Sequence, residues 1–144
     1  MVEIKSIEDK KQDLWGDFSK ILISHSPRKV LEEQAALLGE KTNGLLTAQI
    51  KTFTISHIRE EQLKPTVYHA FYVKGAGTGI ELFRAVRALK SKDTNNPYYP
   101  IDINWEGEYI QNIQSEAEFI DQVRYVLQHE LTRAVLVELI TKVA

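Results

Sequence analysis

The texture of the chain changes twice along its length. Up to Gly44, and again from Ser115 onward, apolar side chains recur every three or four positions. Between Leu45 and Trp105 the sequence turns to Thr, Ile, Val and aromatic residues that alternate in twos, separated by clusters of turn formers. These are the periods of an α-helix and of a β-strand. Helices that flank a block of strands pack onto a sheet, which is the α+β arrangement. The 144 residues contain no linker, repeat or low-complexity segment, so residues 1–144 read as a single α+β domain.

Local signals place the elements. Ser6 with Asp9 forms a capping pattern, and Leu14, Phe18, Ile21 and Leu22 follow at helical spacing, with Trp15 widening the stripe. The spacing predicts a first helix over about 7–24. His25-Ser26-Pro27 breaks it. Ser26 is a good N-cap, and Pro27 suits the first helical position, where its missing N–H would be unpaired anyway. A second helix carries Val30, Leu31, Ala35 and Leu38 inward and ends at Gly39 or at Asn43-Gly44, completing a helical hairpin.

Four strands are expected next. In Leu45–Ile58, Leu46, Ala48 and Ile50 share one phase while Phe53 and Ile55 take the other, the mark of a bulge or a two-sided strand. Thr66–Lys74 alternates Val67, Phe71 and Val73 against Tyr68, Ala70 and Tyr72. After Gly75–Gly79 the pattern is ambiguous. Thr78 with Glu81 could cap a helix over 80–89, or Ile80, Leu82, Arg84 and Val86 could alternate as a third strand in an antiparallel meander. Tyr98–Trp105 alternates Ile101, Ile103 and Trp105 on one face, with Pro100 pointing to a late start or an edge position. Glu106-Gly107 turns the chain, and Ser115 with Glu118 caps an amphipathic helix through Phe119, Ile120, Val123 and Val126. Thr132 is expected to cap or kink the start of a last helix. The expected order is αα-ββββ-αα.

Composition bounds the chemistry. There is no cysteine, which removes disulfides, thiolate metal sites and a cysteine nucleophile. The charged Met1–Lys5 start carries no apolar signal region, and no apolar run approaches the roughly 18 residues of a membrane span. The expected location is the cytoplasm. A net charge of −2 makes nucleic acid an unfavoured partner. Charge is unevenly spread. Arg84, Arg87, Lys90 and Lys92 form a basic stretch, and Glu106, Glu108, Glu116, Glu118 and Asp121 an acidic one. These read as solvated faces or as stretches that face each other.

The string Ser26-Pro27-Arg28-Lys29-Val30-Leu31-Glu32-Glu33-Gln34-Ala35, then Leu38 and Thr42-Asn43-Gly44-Leu45-Leu46, resembles the opening of a family of small uncharacterised bacterial proteins. Tyr68–Tyr72, Leu82-Phe83, Tyr99-Pro100-Ile101 and Ser115…Glu118-Phe119 extend the similarity. In that family the Leu-Phe segment alternates like a strand, which implies a strand at 80–88; the glycine-rich turn before it is where this chain departs. The resemblance implies no activity and no catalytic residues.

Candidate sites are few. The Gly75–Gly79 turn lacks the lysine of a phosphate loop, and its spacing is not the dinucleotide fingerprint, so it reads as a hairpin turn. His25, His57, His69 and His129 are scattered; only His57 and His69 could meet across a hairpin, with Glu60 or Glu61 as further ligands, and no metal or cofactor is called for. His129 reads as a helix-end residue. Asp102 points away from Ile101 and Ile103 and reads as a surface carboxylate if that face is open, or as one needing a partner if helices cover it. The candidate binding surface is a sheet face with Tyr68, Tyr72, Arg84, Arg87 and Tyr98, where aromatic and basic side chains would gather.

The leading expectation is a non-enzymatic interaction module, of accessory or immunity type, acting on a protein partner or as a homodimer. A small-ligand binder or enzyme with a pocket between sheet and helices is the alternative, drawing on His57, His69, Tyr68 or Asp102. Single-stranded nucleic-acid binding on the aromatic-basic face is the third reading.

Overall fold

The computed structural model describes residues 26–59, 62–75, 77–88 and 98–143. Within them one helix, α1 (Pro27–Lys41), precedes five strands and two further helices. The strands are β1 (Thr47–Arg59), β2 (Gln62–Gly75), β3 (Thr78–Ala88), β4 (Ile101–Trp105) and β5 (Glu108–Ile113); α2 (Glu116–Gln128) and α3 (Glu130–Val143) follow. The sheet is antiparallel throughout, in the order β1-β2-β3-β4-β5. The class is α+β, but the expected four-stranded αα-ββββ-αα arrangement is corrected: the sheet has five strands, and the order among the described residues is α-βββββ-αα. The helix expected at 7–24 lies outside the described residues.

The additional strand follows from its turn. Glu106 (φ 50°) and Gly107 (φ 77°) are both left-handed and connect Trp105 directly to Glu108. Two left-handed residues between paired strands are the tight turn that matches strand twist. β5 is hard to see in sequence because only Ile113 on it is fully buried.

Caps fix the helices. The Ser26 hydroxyl accepts from the Lys29 amide at 3.2 Å, with Pro27 in the first turn of α1. α1 ends where the Thr42 hydroxyl donates to the Leu38 carbonyl at 2.8 Å and accepts from the Leu46 amide at 3.1 Å. Ser115 caps α2 through the Glu118 amide, while the Glu118 carboxylate accepts from the Gln114 amide. α3 starts at Glu130, and Nδ1 of His129 accepts from the Leu131 amide at 3.1 Å. Thr132 is therefore not the cap: it sits inside α3, 2% exposed.

The helices cover one sheet face. Strand alternation puts Leu46 and Ile50 from the β1 side, Phe71 and Val73 from β2, Phe83 and Ala85 from β3, and Ile101, Ile103 and Trp105 from β4 beneath them, all buried. Val30, Leu31, Phe119, Val123, Val126 and Leu139 close the core from the helix side. Ile50 and Phe53 belong to opposite phases of one unbroken register with β2, so β1 is two-sided and carries no bulge. No described helix is long and apolar enough to cross a membrane.

Two bulges shape the sheet. On β3 the register steps from Phe71↔Phe83 to Tyr72↔Glu81, leaving Leu82 as an extra residue. An extra residue shifts the alternation. Leu82 is buried like Phe83, and the simple alternation of Ile80, Leu82, Arg84 and Val86 is corrected. On β5, Asn112 (φ 62°) marks the second bulge, and its amide donates to Asp102 Oδ1 at 2.8 Å. Asp102 is thus half-buried with a backbone partner rather than a free surface acid.

Candidate functional site

Three of the five side chains expected on the binding face come together on the open side of the sheet. Tyr68, Ala70 and Tyr72 from β2 alternate away from the helices, beside Lys51 and Phe53 of β1 and Glu81, Arg84 and Val86 of β3. The rings of Phe53 and Tyr68 stack across the strands at 5.0 Å and 14°. The Arg84 guanidinium lies over both, 5.5 Å from Phe53 and 5.3 Å from Tyr68. Two hydrogen bonds, of 2.9 and 2.7 Å, tie it to the Glu81 carboxylate. Those bonds raise the Arg84 pKa above its ordinary value. Lys51 sits 4.2 Å over the Tyr72 ring. Ala70, opposite both Lys51 and Arg84, is fully covered although it lies on the open face. Its cross-strand neighbours are two long side chains, whose stems can cover it. The face is self-packed, with its arginine already engaged by an acid and two rings. That arrangement speaks against base stacking there.

Arg87 and Tyr98 do not join this face. Arg87 is three positions from Arg84 on one strand, and an odd separation puts it on the opposite side. It is 6% exposed beneath the helices and donates from Nη2 to the Tyr99 carbonyl at 3.2 Å. Tyr98 precedes β4 and packs, half-buried, against the core. The basic stretch is accordingly split: Arg84 outward, Arg87 inward, with Lys90 and Lys92 outside the described residues.

The histidine pair expected across the hairpin does not form, and His25, Glu60 and Glu61 lie outside the described residues. Backbone register sets His57 against Lys64 and His69 against Thr52, so the hairpin does not bring the two together. No group of three or more His, Asp or Glu among the described residues is placed to hold a metal. His69 faces the helix side. Arg28 donates to Glu32 at 2.9 Å and to the Thr52 hydroxyl, which lies 2.8 Å from His69 Nδ1. Having accepted from Arg28, that hydroxyl is oriented to donate to an unprotonated Nδ1. Burial and, secondarily, the Arg28 charge lower the His69 pKa to about 4. His129 packs edge-on to Trp105 at 4.7 Å and caps α3, a helix-end role.

A concavity lies on the other side of the sheet, where the three helices meet. It is a cleft of about 640 Å3. Its floor is Leu46, Phe71 and Leu82; its walls are Val30 and Leu38 of α1, Ile120, Val123 and Leu127 of α2, and Leu136 and Ile140 of α3. Leu82 reaches this floor because of the β3 bulge. The mouth carries Leu37 and Val137, both exposed, with the polar ends of Gln34, Gln128, Lys41, Arg124 and Arg133. Among the described residues no carboxylate and no imidazole line it. The volume falls within the range of small-molecule sites, about 300–1,000 Å3. Tyr68, Asp102 and His69 are not part of it and the His57 side chain lies outside the described ones, so the polar groups seen in this pocket are cations, amides and the Thr42 hydroxyl.

Comparison with family models, with curated proteins and with solved structures returns no match to this chain.

Proposed function

We propose that this protein is a non-enzymatic binding module that holds a small, largely apolar ligand in the cleft between the helix layer and the sheet. The observation that carries the reading is the cleft itself: an apolar floor and walls supplied by four parts of the fold, open at a mouth that leaves Leu37 and Val137 in solvent. Exposed apolar side chains gathered at an opening are a common mark of a binding surface. A lining of aliphatic groups, amides and cations offers grip rather than acid–base chemistry.

The test uses a neutral apolar dye, Nile red, whose emission rises on leaving water. The wild-type protein is expected to bind it one to one, and Leu136→Trp, which fills the cleft from a half-buried wall position, to abolish binding without loss of the folded circular-dichroism signal. No binding, or binding that survives Leu136→Trp in a folded variant, would overturn the reading.

A second reading, association with another copy of the chain, draws on the outer edge of β1. That strand is 13 residues long, contains no proline and runs in unbroken register with β2. It has no other strand partner among the described residues. The opposite edge, β5, is 6 residues long and bulged. Long, regular, unprotected edges pair with other strands, and short bulged ones resist it. Light scattering should then give twice the chain mass, reduced to one by Ile55→Lys; a monomeric wild type would remove this second reading.

A further inference from the structure

We propose that the ligand of the cleft is an amphipathic anion, an alkyl chain ending in a single carboxylate, with its head held between Lys41 and Arg133 and its tail over Phe71, Leu82 and Val123. The inference rests on the cleft being a ligand site and adds the chemical class of what it holds.

The charges at the mouth carry it. Two other exposed or half-buried arginines are matched to acids: Arg28 to Glu32 at 2.9 Å and Arg84 to Glu81 at 2.7 Å. Of the three cations around the cleft, Arg124 is matched as well, to Asp121 at 2.7 Å. Lys41 and Arg133 have no ion pair and no side-chain hydrogen bond among the described residues. They stand on α1 and α3, on different walls of one opening whose lining contains no acid among the described residues. Among the described residues, a cleft so built has an uncompensated positive rim over an apolar interior. An anionic head satisfies the rim with charge-assisted hydrogen bonds, and an apolar tail satisfies the interior by leaving water. A neutral apolar molecule uses only the second term, and a small hydrophilic anion only the first.

Titration calorimetry with dodecanoate, dodecanol and acetate, below micelle-forming concentrations, separates the terms. Dodecanoate is expected to bind about tenfold more tightly than dodecanol, the sum of two exposed ion pairs, and to lose that advantage at high salt. The double variant Lys41→Gln/Arg133→Gln changes two exposed side chains, so it should fold and bring dodecanoate down to the dodecanol affinity while leaving dodecanol unchanged. Acetate should not displace dodecanoate. Equal binding of dodecanoate and dodecanol, or an acid preference that survives the double variant, would overturn the anionic head while the cleft reading stands. Displacement by acetate would overturn the tail. Failure of both chains to bind, together with failure of Nile red, would remove the inference and the cleft reading at once.

Discussion

Two cross-strand aromatic pairs sit on opposite faces of the same sheet with almost the same geometry. Phe71 and Phe83 stack at 5.2 Å and 13° on the covered face, and Phe53 and Tyr68 at 5.0 Å and 14° on the open one. What differs is the third layer. Over the first pair lie helices, and both rings are 1% exposed; over the second lies one guanidinium, and Phe53 is 36% exposed. Ring geometry is set by the strands, but the energy of a pair is set by what takes water away from it. The same difference decides where a ligand can bind. The open face has closed upon itself with its own arginine and acid, whereas the covered face leaves a cleft at the junction of three helices.

The largest effect should come from removing one ring from each pair. Phe83→Ala empties fully buried volume and is expected to cost about 3–5 kcal/mol of unfolding free energy. Phe53→Ala removes a partly solvated ring and should cost about 1 kcal/mol. Urea denaturation of the two variants measures both. Equal losses would mean that the helix layer contributes little beyond the stacking itself, and the comparison would fail.

Charge sharpens the contrast. The open face raises the pKa of Arg84 through its bonds to Glu81, whereas burial on the covered face holds His69 at about 4 against an ordinary 6.5. The folded state therefore binds His69's proton less readily than the unfolded state. Between about pH 6.5 and 4 the unfolded chain carries the extra proton, so stability falls as pH falls through that window. Below it the loss is complete. Because the ring keeps some solvent contact, the total should be of the order of 1–2 kcal/mol. His69→Gln should flatten the part of the stability profile between pH 7 and 4.5 that is assigned to this group; an unchanged slope would place the acid sensitivity elsewhere.

Arg84→Ala follows, with an expected loss of about 1 kcal/mol, because it removes both a partly buried ion pair and the cover over two rings. Arg84→Lys keeps the charge but not the plane that lies over the rings or the paired donors that meet Glu81. Denaturant midpoints for the two variants should lie close together if the planar contact dominates. Full rescue by lysine would show that charge alone holds the open face.

How much of this was legible in the chain varies with the physical scale of the signal. Period and caps are local, and they revealed α1, the phase switch along β1 (though not whether a bulge or a two-sided strand made it), the alternation of Tyr68, Ala70 and Tyr72, and the Ser115 cap of α2. The Glu106-Gly107 turn was equally local, yet β5 beyond it stayed hidden because Glu108–Gln111 carry almost no buried apolar residue. Arg87 was recoverable: a three-residue step from Arg84 already puts it on the other face. Leu82 was not, since a bulge is a departure from the very alternation used to assign faces. The cleft was visible only as core residues such as Val30, Phe71, Val123 and Leu136. That they leave a gap depends on how three helices meet, which no single segment encodes. Lys41 and Arg133 are nearly a hundred positions apart, and nothing in either neighbourhood marks them as sharing a mouth.

The smallest effect offers the finest test of whether the open face is a packed layer or a set of separate surface residues. Lys51 is exposed, and its ammonium lies 4.2 Å from the centre of the Tyr72 ring. An exposed cation over a tyrosine ring contributes about 0.5–1 kcal/mol, and salt weakens it. Single deletions would confuse that term with loss of the lysine stem over Ala70. A double-mutant cycle of Lys51→Met and Tyr72→Leu keeps the apolar stem and isolates the coupling. About 0.5 kcal/mol of coupling at low salt, falling toward zero at high salt, is expected if the two side chains act on each other. The cover over Ala70 is apolar, so it should persist at both salt concentrations in the Lys51→Met variant. If instead Lys51→Met destabilises the chain as much as Phe53→Ala does, the charge rather than the packing holds this layer, and the open face would be as dependent on its cations as the cleft is proposed to be on its ligand.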